Sequence, residues 1–410
     1  MSTTTTYIAD SQRVFTVSKE NNNFKSLINL IFIGGKEHRK FLRLEQVILQ
    51  LDFDFYNDLL PTIAQWASDH TQANPIQPLK ANTTATVTYT PSQARYILAN
   101  AFFLNTIQGY GNIDLNHLYN SYDEKLCIAR IRCLIEYFRL SSLHHGDDNN
   151  RQISIERYCY GTELPDWNKQ NILIQSSKIN IFTDRMEDAN EAQGFVDFAN
   201  KHIHIHRIIP SATQEEVLFS CCPEAFLSIL VCETLEDDEI VILRGCKRFV
   251  DYTGYADTFR YKGHYEQSNS NHIQDILVMD AVFSGQFTRE KIDRDLGKAW
   301  ATFKKSKDQI IVTGNWGCGV FGGDLIFKFL QQVCAAMILG DDFKRLDYSA
   351  YHEEDLAMSL KNLLQKLEQQ KKTVADIYEM MNNYRQTSEM AALRPTFIDY
   401  VSNWLNKPQV

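Results

Sequence analysis

The chain has 410 residues, of which 44% are apolar, 12% aromatic and 23% charged, and its formal net charge is −9. This composition is typical of a folded globular protein with ample core material. The negative charge argues against direct binding of DNA, because proteins that bind a nucleic-acid backbone need a basic face to displace its counterions.

The sequence shows no secretion signal, because no basic start is followed by an apolar stretch. It also contains no apolar run long enough to form a membrane-spanning helix. We therefore expect no membrane contact and an intracellular protein of the cytoplasm or nucleus, with a cytoskeletal or ciliary assembly still open. Nine cysteines, among them the neighbours Cys221 and Cys222, follow no disulfide or CxxC spacing. This predicts reduced, mostly buried thiols, and the alternative of a nucleophilic cysteine would require a partner histidine.

The first half of the chain is predicted to be helical. Residues 1–23 are rich in Thr, Ser and Asn, which is typical of a flexible arm. Across 24–150, apolar residues recur at three- and four-residue spacing, for example in 97–103, and a helix is expected to begin just after Pro91. The polar segment 144–150 interrupts these patterns, so it is the expected end of this helical accessory region.

The second half, residues 151–400, is predicted to be α/β because short β-branched runs alternate with helical stretches. The expected strands are 178–182, 239–243, 276–279 and 309–312, and the expected helices are 325–339 and 356–384. This alternation predicts a mixed sheet flanked by helices.

The segment Thr213-Gln214-Glu215-Glu216 precedes an apolar run and is expected to open a helix. One interpretation is structural, because Thr213 and Glu216 have the spacing of a capping box. The other is catalytic: a carboxyl partly removed from water can have its pKa raised enough to protonate a leaving group in glycoside cleavage. The residues alone leave both interpretations open.

Five glycines lie among the twelve residues 313–324, between a predicted strand and a predicted helix. Glycine permits positive φ and lets backbone N–H groups approach an anion, and the helix start adds a favourable dipole. The segment is therefore a candidate phosphate-binding loop. A tight turn needed only for packing is the alternative.

Six motifs along the chain form a set that is more specific than any one of them. They are Leu98-Ala99-Asn100-Ala101-Phe102-Phe103, Val196-Asp197-Phe198-Ala199-Asn200, Gln214-Glu215-Glu216, Thr253-Gly254-Tyr255-Ala256, Gly314-Asn315-Trp316-Gly317-Cys318-Gly319 with Phe321-Gly322-Gly323-Asp324, and Thr373-Val374-Ala375-Asp376-Ile377-Tyr378. In order and spacing they resemble the poly(ADP-ribose) glycohydrolases of eukaryotes. The resemblance implies a macrodomain-like core with an N-terminal helical layer, no cofactor, and poly(ADP-ribose) or ADP-ribose as the partner.

The resemblance also implies roles for individual residues. Glu216 would protonate the departing 2′-oxygen of the ribose–ribose bond, and Gln214 and Glu215 would position the substrate. Six further positions would contact the ligand: Asn200 at the distal ribose, Glu187 at the adenine edge, Tyr255 and Tyr348 on the two faces of adenine, and Gly319 and Phe321 at the diphosphate.

One segment departs from the family pattern, in which three glycines precede the acidic motif. Here His204, Ile205 and His206 stand at those positions. Side chains with a Cβ disfavour positive φ and occupy space that the ligand needs. The alternation in 202–206 predicts a strand instead. No acid or thiol at suitable spacing joins the histidines, so we predict no metal site.

Two functions are therefore compatible with the sequence. The first is an active exo-type glycohydrolase that tolerates a rebuilt loop. The second is a catalytically degenerate member that binds ADP-ribose or serves as a structural subunit beside other proteins of a larger assembly.

Overall fold

A computed structural model describes residues 12–18, 22–31, 40–73, 77–106, 109–143, 150–265, 273–384 and 395–407. The chain divides into two compact units, neither of which is one continuous segment. Unit 1 comprises Met1–Arg157, His202–Thr234 and Leu243–Gln274, and unit 2 comprises Tyr158–Lys201, Leu235–Ile242 and Asp275–Val410. Most of the predicted arm 1–23 and of the predicted boundary 144–150 lies outside the described residues.

Unit 1 contains helices throughout the part of the chain that was predicted to be helical, and two more at and after the acidic motif. They are α1 Phe24–Ile31, α2 Leu42–Leu49, α3 Leu60–Ser68, α4 Pro91–Phe102, α5 Asn116–Asn120, α6 Glu124–Leu143, α7 Gln214–Cys221 and α8 Leu227–Val231. The Thr90 hydroxyl accepts from the Gln93 N–H (3.2 Å), and Gln93 Oε1 accepts from the Thr90 N–H (2.8 Å). This reciprocal cap begins α4 at Pro91, within one residue of the prediction.

The helices of unit 2 are α9 Arg289–Lys305, α10 Leu325–Met337, α11 Glu354–Gln369, α12 Val374–Tyr384 and α13 Phe397–Leu405. The helix predicted over 356–384 is interrupted between α11 and α12. Lys371 has a left-handed φ of 53°, and the Thr373 N–H donates to Asp376 Oδ2 (2.7 Å), which starts a new helix. Every helix among the described residues is too short or too polar to cross a bilayer.

The strands are β1 Ala85–Tyr89, β2 Ile153–Cys159, β3 Ile179–Phe182, β4 Gly194–Ala199, β5 Glu239–Lys247, β6 Val250–Thr253, β7 Arg260–His264, β8 Ile273–Asp280, β9 Ile310–Thr313 and β10 Arg345–Ser349. One sheet has the order β1-β2-β5-β8-β4-β9-β10-β3, and β6 pairs separately with β7. The four predicted strands correspond to β3, β5, β8 and β9. The predicted α/β class with an N-terminal helical region is confirmed, although β1 lies in the part predicted to be helical.

The neighbouring strands β8, β4, β9, β10 and β3 run parallel. Phe195 of β4 is in register with Ile276 of β8 and Val312 of β9, and Leu346 of β10 is in register with Ile311 of β9 and with a residue of β3. The carboxyl ends of these strands therefore lie at one edge of the sheet, which we call the carboxyl edge of unit 2. Ligands of α/β proteins bind at such edges.

Candidate functional site

The acidic motif forms the first turn of α7 in unit 1. Glu215 and Glu216 are both buried. Glu216 Oε2 accepts hydrogen bonds from the Thr213 N–H (2.9 Å), the Ser211 hydroxyl (3.2 Å) and the Thr213 hydroxyl. The capping box expected from the sequence is therefore present. Within the described part of the chain no hydrogen-bond donor contacts Glu216 Oε1.

The surroundings of Glu216 favour its ionised form. Burial alone would raise the pKa of Glu216, but the charge of Arg130 and the hydrogen bonds from Thr213 act against burial, and this pKa lies below its usual value. The raised pKa expected from the sequence is therefore wrong for this structure. The expectation failed because the sequence does not show that Arg130, from a distant helix, lies near the carboxylate.

The segment 202–206 is a left-handed turn, not the predicted strand. His204, Ile205 and His206 have φ values of 52°, 48° and 55°, which is the region that glycines adopt readily. Each residue with a Cβ in this conformation lowers the stability of the fold by about 1–2 kcal/mol. Contacts with the rest of the unit must therefore hold the turn. One of these contacts is direct, because the His204 N–H donates to Glu215 Oε1 (2.6 Å).

A neighbouring loop supports the turn from outside. The His206 carbonyl accepts a hydrogen bond from the Asn112 N–H (2.9 Å). A Cβ on Gly111 would lie 2.4 Å from the His206 carbonyl oxygen, so only glycine permits this approach. Packing and hydrogen bonds thus hold the left-handed backbone of residues 204–206.

Arg130 of α6 connects the turn to α7. Its Nη1 donates to the Ile209 and Ser211 carbonyls (2.6 and 3.0 Å), and its Nε donates to the Ser220 hydroxyl (3.1 Å). Its Nη2 lies 3.3 Å from His204 Nε2. Because the guanidinium is buried, these acceptors replace the water that it loses on folding. Arg130 was not identified from the sequence.

The His204 side chain is neutral and points into the core. Its Nδ1 lies 2.8 Å from the Arg207 carbonyl, which can only accept, so the proton is assigned to Nδ1 and Nε2 accepts from Arg130. Burial against Phe219 and Phe226 and the charge of Arg130 lower the pKa of His204 to about 4. The imidazole is therefore enclosed within unit 1.

Tyr255 lies in a tight turn of unit 1 with 39% of its surface exposed. Gly254 has φ 74°, and a Cβ there would lie 2.0 Å from the Thr258 carbonyl oxygen, so the turn requires glycine. The Ala256 N–H donates to the Ala212 carbonyl (3.0 Å), which places the turn beside the start of α7. Unit 1 thus brings an accessible aromatic ring close to the acidic motif.

The loops at the carboxyl edge of unit 2 carry the other predicted residues. Asn200 directly follows β4, and Glu187 lies in the loop after β3, where it is buried. The loops pack closely: a Cβ on Gly314, the first residue after β9, would lie 2.8 Å from the Ser349 carbonyl oxygen at the end of β10. The residues predicted for ligand binding are therefore divided between the two units.

The glycine-rich loop after β9 has a tightly packed base and an open tip. Trp316 is buried, and its indole N–H donates to the Met279 carbonyl (3.0 Å). A Cβ on Gly317 would lie 2.5 Å from Ala281 Cβ, whereas a Cβ on Gly319 or Gly322 would meet nothing within 4 Å. Packing therefore explains the glycines at the base. It does not explain Gly319 or Gly322, which face open space.

Two aromatic positions differ from the predictions. Tyr348 is fully buried, with its ring 4.9 Å from Phe329 and its hydroxyl donating to Asn315 Oδ1 (2.9 Å), so it offers no face to a ligand. The stacking role assigned to Tyr348 is therefore wrong, because the side chain belongs to a strand that is buried on both faces. Phe321 is partly exposed and contacts Phe283 edge-on at 5.5 Å. Phe283, which is 70% exposed, was not identified from the sequence.

Replacing Ile205 by glycine is expected to leave the free energy of unfolding nearly unchanged or to raise it by up to about 1 kcal/mol. Glycine relieves about 1–2 kcal/mol of left-handed strain and adds about 0.5–1 kcal/mol of chain entropy to the unfolded state. The same change at Ile203, which is fully buried, should destabilise the fold by more than about 3 kcal/mol. Urea denaturation measures both variants, and equal losses would contradict the left-handed turn.

Neutral His204 should make stability depend on pH. Its pKa is about 4 in the folded protein and about 6.5 when unfolded. Between these values the unfolded state binds more protons, so the stabilisation is complete above about pH 6.5 and is lost as the pH falls towards 4. Between pH 7 and pH 5, the free energy of unfolding should therefore fall by about 2 kcal/mol more in wild type than in His204→Gln.

Urea denaturation at pH 7 and pH 5 checks this difference. His117→Gln, which changes an exposed residue of α5, serves as the control and should follow wild type. An identical loss in His204→Gln and wild type would show that His204 is not buried in its neutral form.

Comparisons with known proteins agree with the fold and the motifs. Residues 51–157 match the family model of the poly(ADP-ribose) glycohydrolase helical domain, and residues 164–358 match that of the poly(ADP-ribose) glycohydrolase macro domain fold. Poly(ADP-ribose) glycohydrolase 1 of Caenorhabditis elegans is 26% identical over 64% of this chain and 36% of its own length. Poly(ADP-ribose) glycohydrolase 1 of Arabidopsis thaliana is 26% identical over 70% of this chain and 65% of its own length.

Two solved structures are also similar to this chain. Poly(ADP-ribose) glycohydrolase from Thermomonospora curvata, bound to the inhibitor ADP-HPD, is 17% identical over 43% of this chain and 74% of its own, with a TM-score of 0.31. The Deinococcus radiodurans enzyme in complex with ADP-ribose is 13% identical over 56% of this chain and 98% of its own, with a TM-score of 0.32. On the two family models and the curated relatives together, the chain belongs to the poly(ADP-ribose) glycohydrolase family.

Proposed function

We propose that the protein binds ADP-ribose units of poly(ADP-ribose) and hydrolyses the ribose–ribose O-glycosidic bond. The observation that carries this proposal is the left-handed backbone of residues 204–206. Strained residues persist only where the surrounding structure holds them, and they concentrate at functional sites. Three consecutive left-handed residues that all carry a Cβ therefore support a functional loop at this position.

The carboxyl edge of unit 2 supports binding of the diphosphate and the sugars. The glycine-rich loop has open space over Gly319 and Gly322, so its backbone can approach an anion closely. Phe321 beside it offers an apolar surface to a ribose. Since Tyr348 is buried, we assign contact with the base on this edge to Tyr351, which is partly exposed just after β10.

Glu216 is the residue proposed to donate the proton. In the reaction, the bond between C1″ and the bridging oxygen breaks, and this oxygen takes the proton of Glu216. Water then adds to C1″ and returns a proton to the carboxylate. Because the pKa of Glu216 lies below its usual value, few molecules carry this proton at neutral pH, and turnover should be slow there.

The second candidate function is binding of ADP-ribose without turnover. The low pKa of Glu216 favours it, since an ionised carboxylate accepts a hydrogen bond from a ribose hydroxyl but cannot protonate a leaving group. In this case the same residues would recognise the end of a polymer and hold it. Measurements of turnover and of affinity distinguish the two functions.

Release of ADP-ribose from poly(ADP-ribose) is expected to rise about tenfold per pH unit as the pH falls from about 8 to about 6.5, because the protonated fraction of an acid grows tenfold per unit above its pKa. Glu216→Gln should lower the rate at least about 100-fold. The control Glu290→Gln changes an exposed acid of α9 and should leave the rate unchanged. Undiminished activity in Glu216→Gln would overturn the proposed acid, and binding with no turnover in wild type would favour the second function.

Gly319→Val tests whether the glycine-rich loop binds the diphosphate. The added side chain would project into open space, so the free energy of unfolding should change by less than about 0.5 kcal/mol. Affinity for ADP-ribose, measured by calorimetric titration, should nevertheless fall at least about tenfold, because the side chain blocks approach to the loop backbone. Wild-type affinity in Gly319→Val would place the ligand elsewhere, and no binding by wild type at millimolar ADP-ribose would refute both functions.

A further inference from the structure

A network of buried ion pairs lies beneath the glycine-rich loop of unit 2. Its cations are Arg294 and Lys298 of α9 and Lys328 of α10, and its buried acids are Asp280 at the end of β8 and Asp295 of α9. Both lysine side chains are completely buried. Burying an ammonium group costs several kcal/mol unless it is paired and hydrogen-bonded, so each lysine needs its partners.

The two lysines differ in what they touch. Lys298 Nζ donates to the Glu236 carbonyl (2.6 Å) and to Asp280, neither of which belongs to the loop. Lys328 Nζ donates to Asp295 and lies 4.8 Å from the centre of the Trp316 ring, which is part of the loop. The cation–π geometry adds an attraction between this ammonium group and the loop.

The stem of Lys328 also packs against both ends of the loop. Its Cε atom would lie 3.4 Å from a Cβ on Gly317 and 3.2 Å from a Cβ on Gly323. These two glycines close the loop, because the Gly323 N–H donates to the Gly317 carbonyl (2.9 Å). We call Trp316, Gly317 and Gly323 the neck of the loop. The tip of the loop, 318–322, is partly or fully exposed and lies between the residues of this neck.

We propose that Lys328 is a positioning residue for the phosphate-binding loop, a role that rests on the proposed function. Its ion pair with Asp295 and its contact with Trp316 keep the neck closed, so that the backbone amides of the tip stay arranged for a diphosphate. Such preorganisation raises the affinity, because a loop that becomes ordered only when the ligand binds uses part of the binding free energy for its own ordering.

The two lysines provide a matched comparison. Lys328→Met and Lys298→Met each remove one fully buried cation of the same network and should both lower the free energy of unfolding. In Lys328→Met, hydrogen–deuterium exchange of the amides of 316–323 should accelerate at least about tenfold and affinity for ADP-ribose should fall at least about tenfold. In Lys298→Met both should stay within about twofold of wild type. Lys328→Arg, which keeps the charge, should recover part of the affinity.

The outcomes separate this proposal from the proposed function. Equal exchange of the loop in the two methionine variants, or wild-type affinity in Lys328→Met, would overturn the role of Lys328. If wild type does not bind ADP-ribose, the proposed function fails, and the exchange comparison alone decides whether Lys328 holds the neck. If Lys328→Met does not fold, the double variant Asp295→Asn/Lys328→Met removes both charges of the pair and is expected to show the same accelerated exchange.

Discussion

The structure around the acidic motif depends on the hydrogen bonds of one buried guanidinium group. Arg130 donates to the Ile209 and Ser211 carbonyls and to the Ser220 hydroxyl, and it also contacts His204 within the left-handed turn. A buried cation without acceptors would be costly, so folding of unit 1 fixes these acceptors relative to α6. Local interactions do not favour three consecutive left-handed residues with side chains. Long-range bonds of this kind must therefore supply the free energy that holds the turn.

The charge of Arg130 also has opposite effects on two titratable neighbours. It helps to keep His204 neutral and Glu216 ionised, because a cation disfavours a second cation and favours an anion. Acid therefore acts on this part of the protein in two ways. It raises the protonated fraction of Glu216, and it weakens the fold by protonating His204 in the unfolded chain.

The sequence predicted elements whose signals are local and missed features set by distant residues. The strand β9 and the helix α10 were predicted within two residues, because an apolar run in each is bounded by glycine and polar residues. The segment 202–206 failed because alternation of histidine and isoleucine fits a strand, while its real conformation depends on Arg130, 74 residues away from His204. The resemblance to the family could not show that Tyr348 is enclosed by a doubly covered strand, whereas Tyr255 lies exposed in a turn.

Lys328 carried a signal that could have been used, since it is the lone cation of the apolar helix α10, whereas Arg130 shares α6 with Lys125, Arg132 and Arg139. The different chemistry of Lys328 and Arg130 fits their different surroundings. The planar guanidinium of Arg130 has N–H donors that point in several directions, so it can donate to acceptors on separate segments of unit 1. The ammonium group on its narrow stem passes beside two glycines and contacts one carboxylate and one aromatic ring. Each unit thus supports an irregular loop with a buried cation.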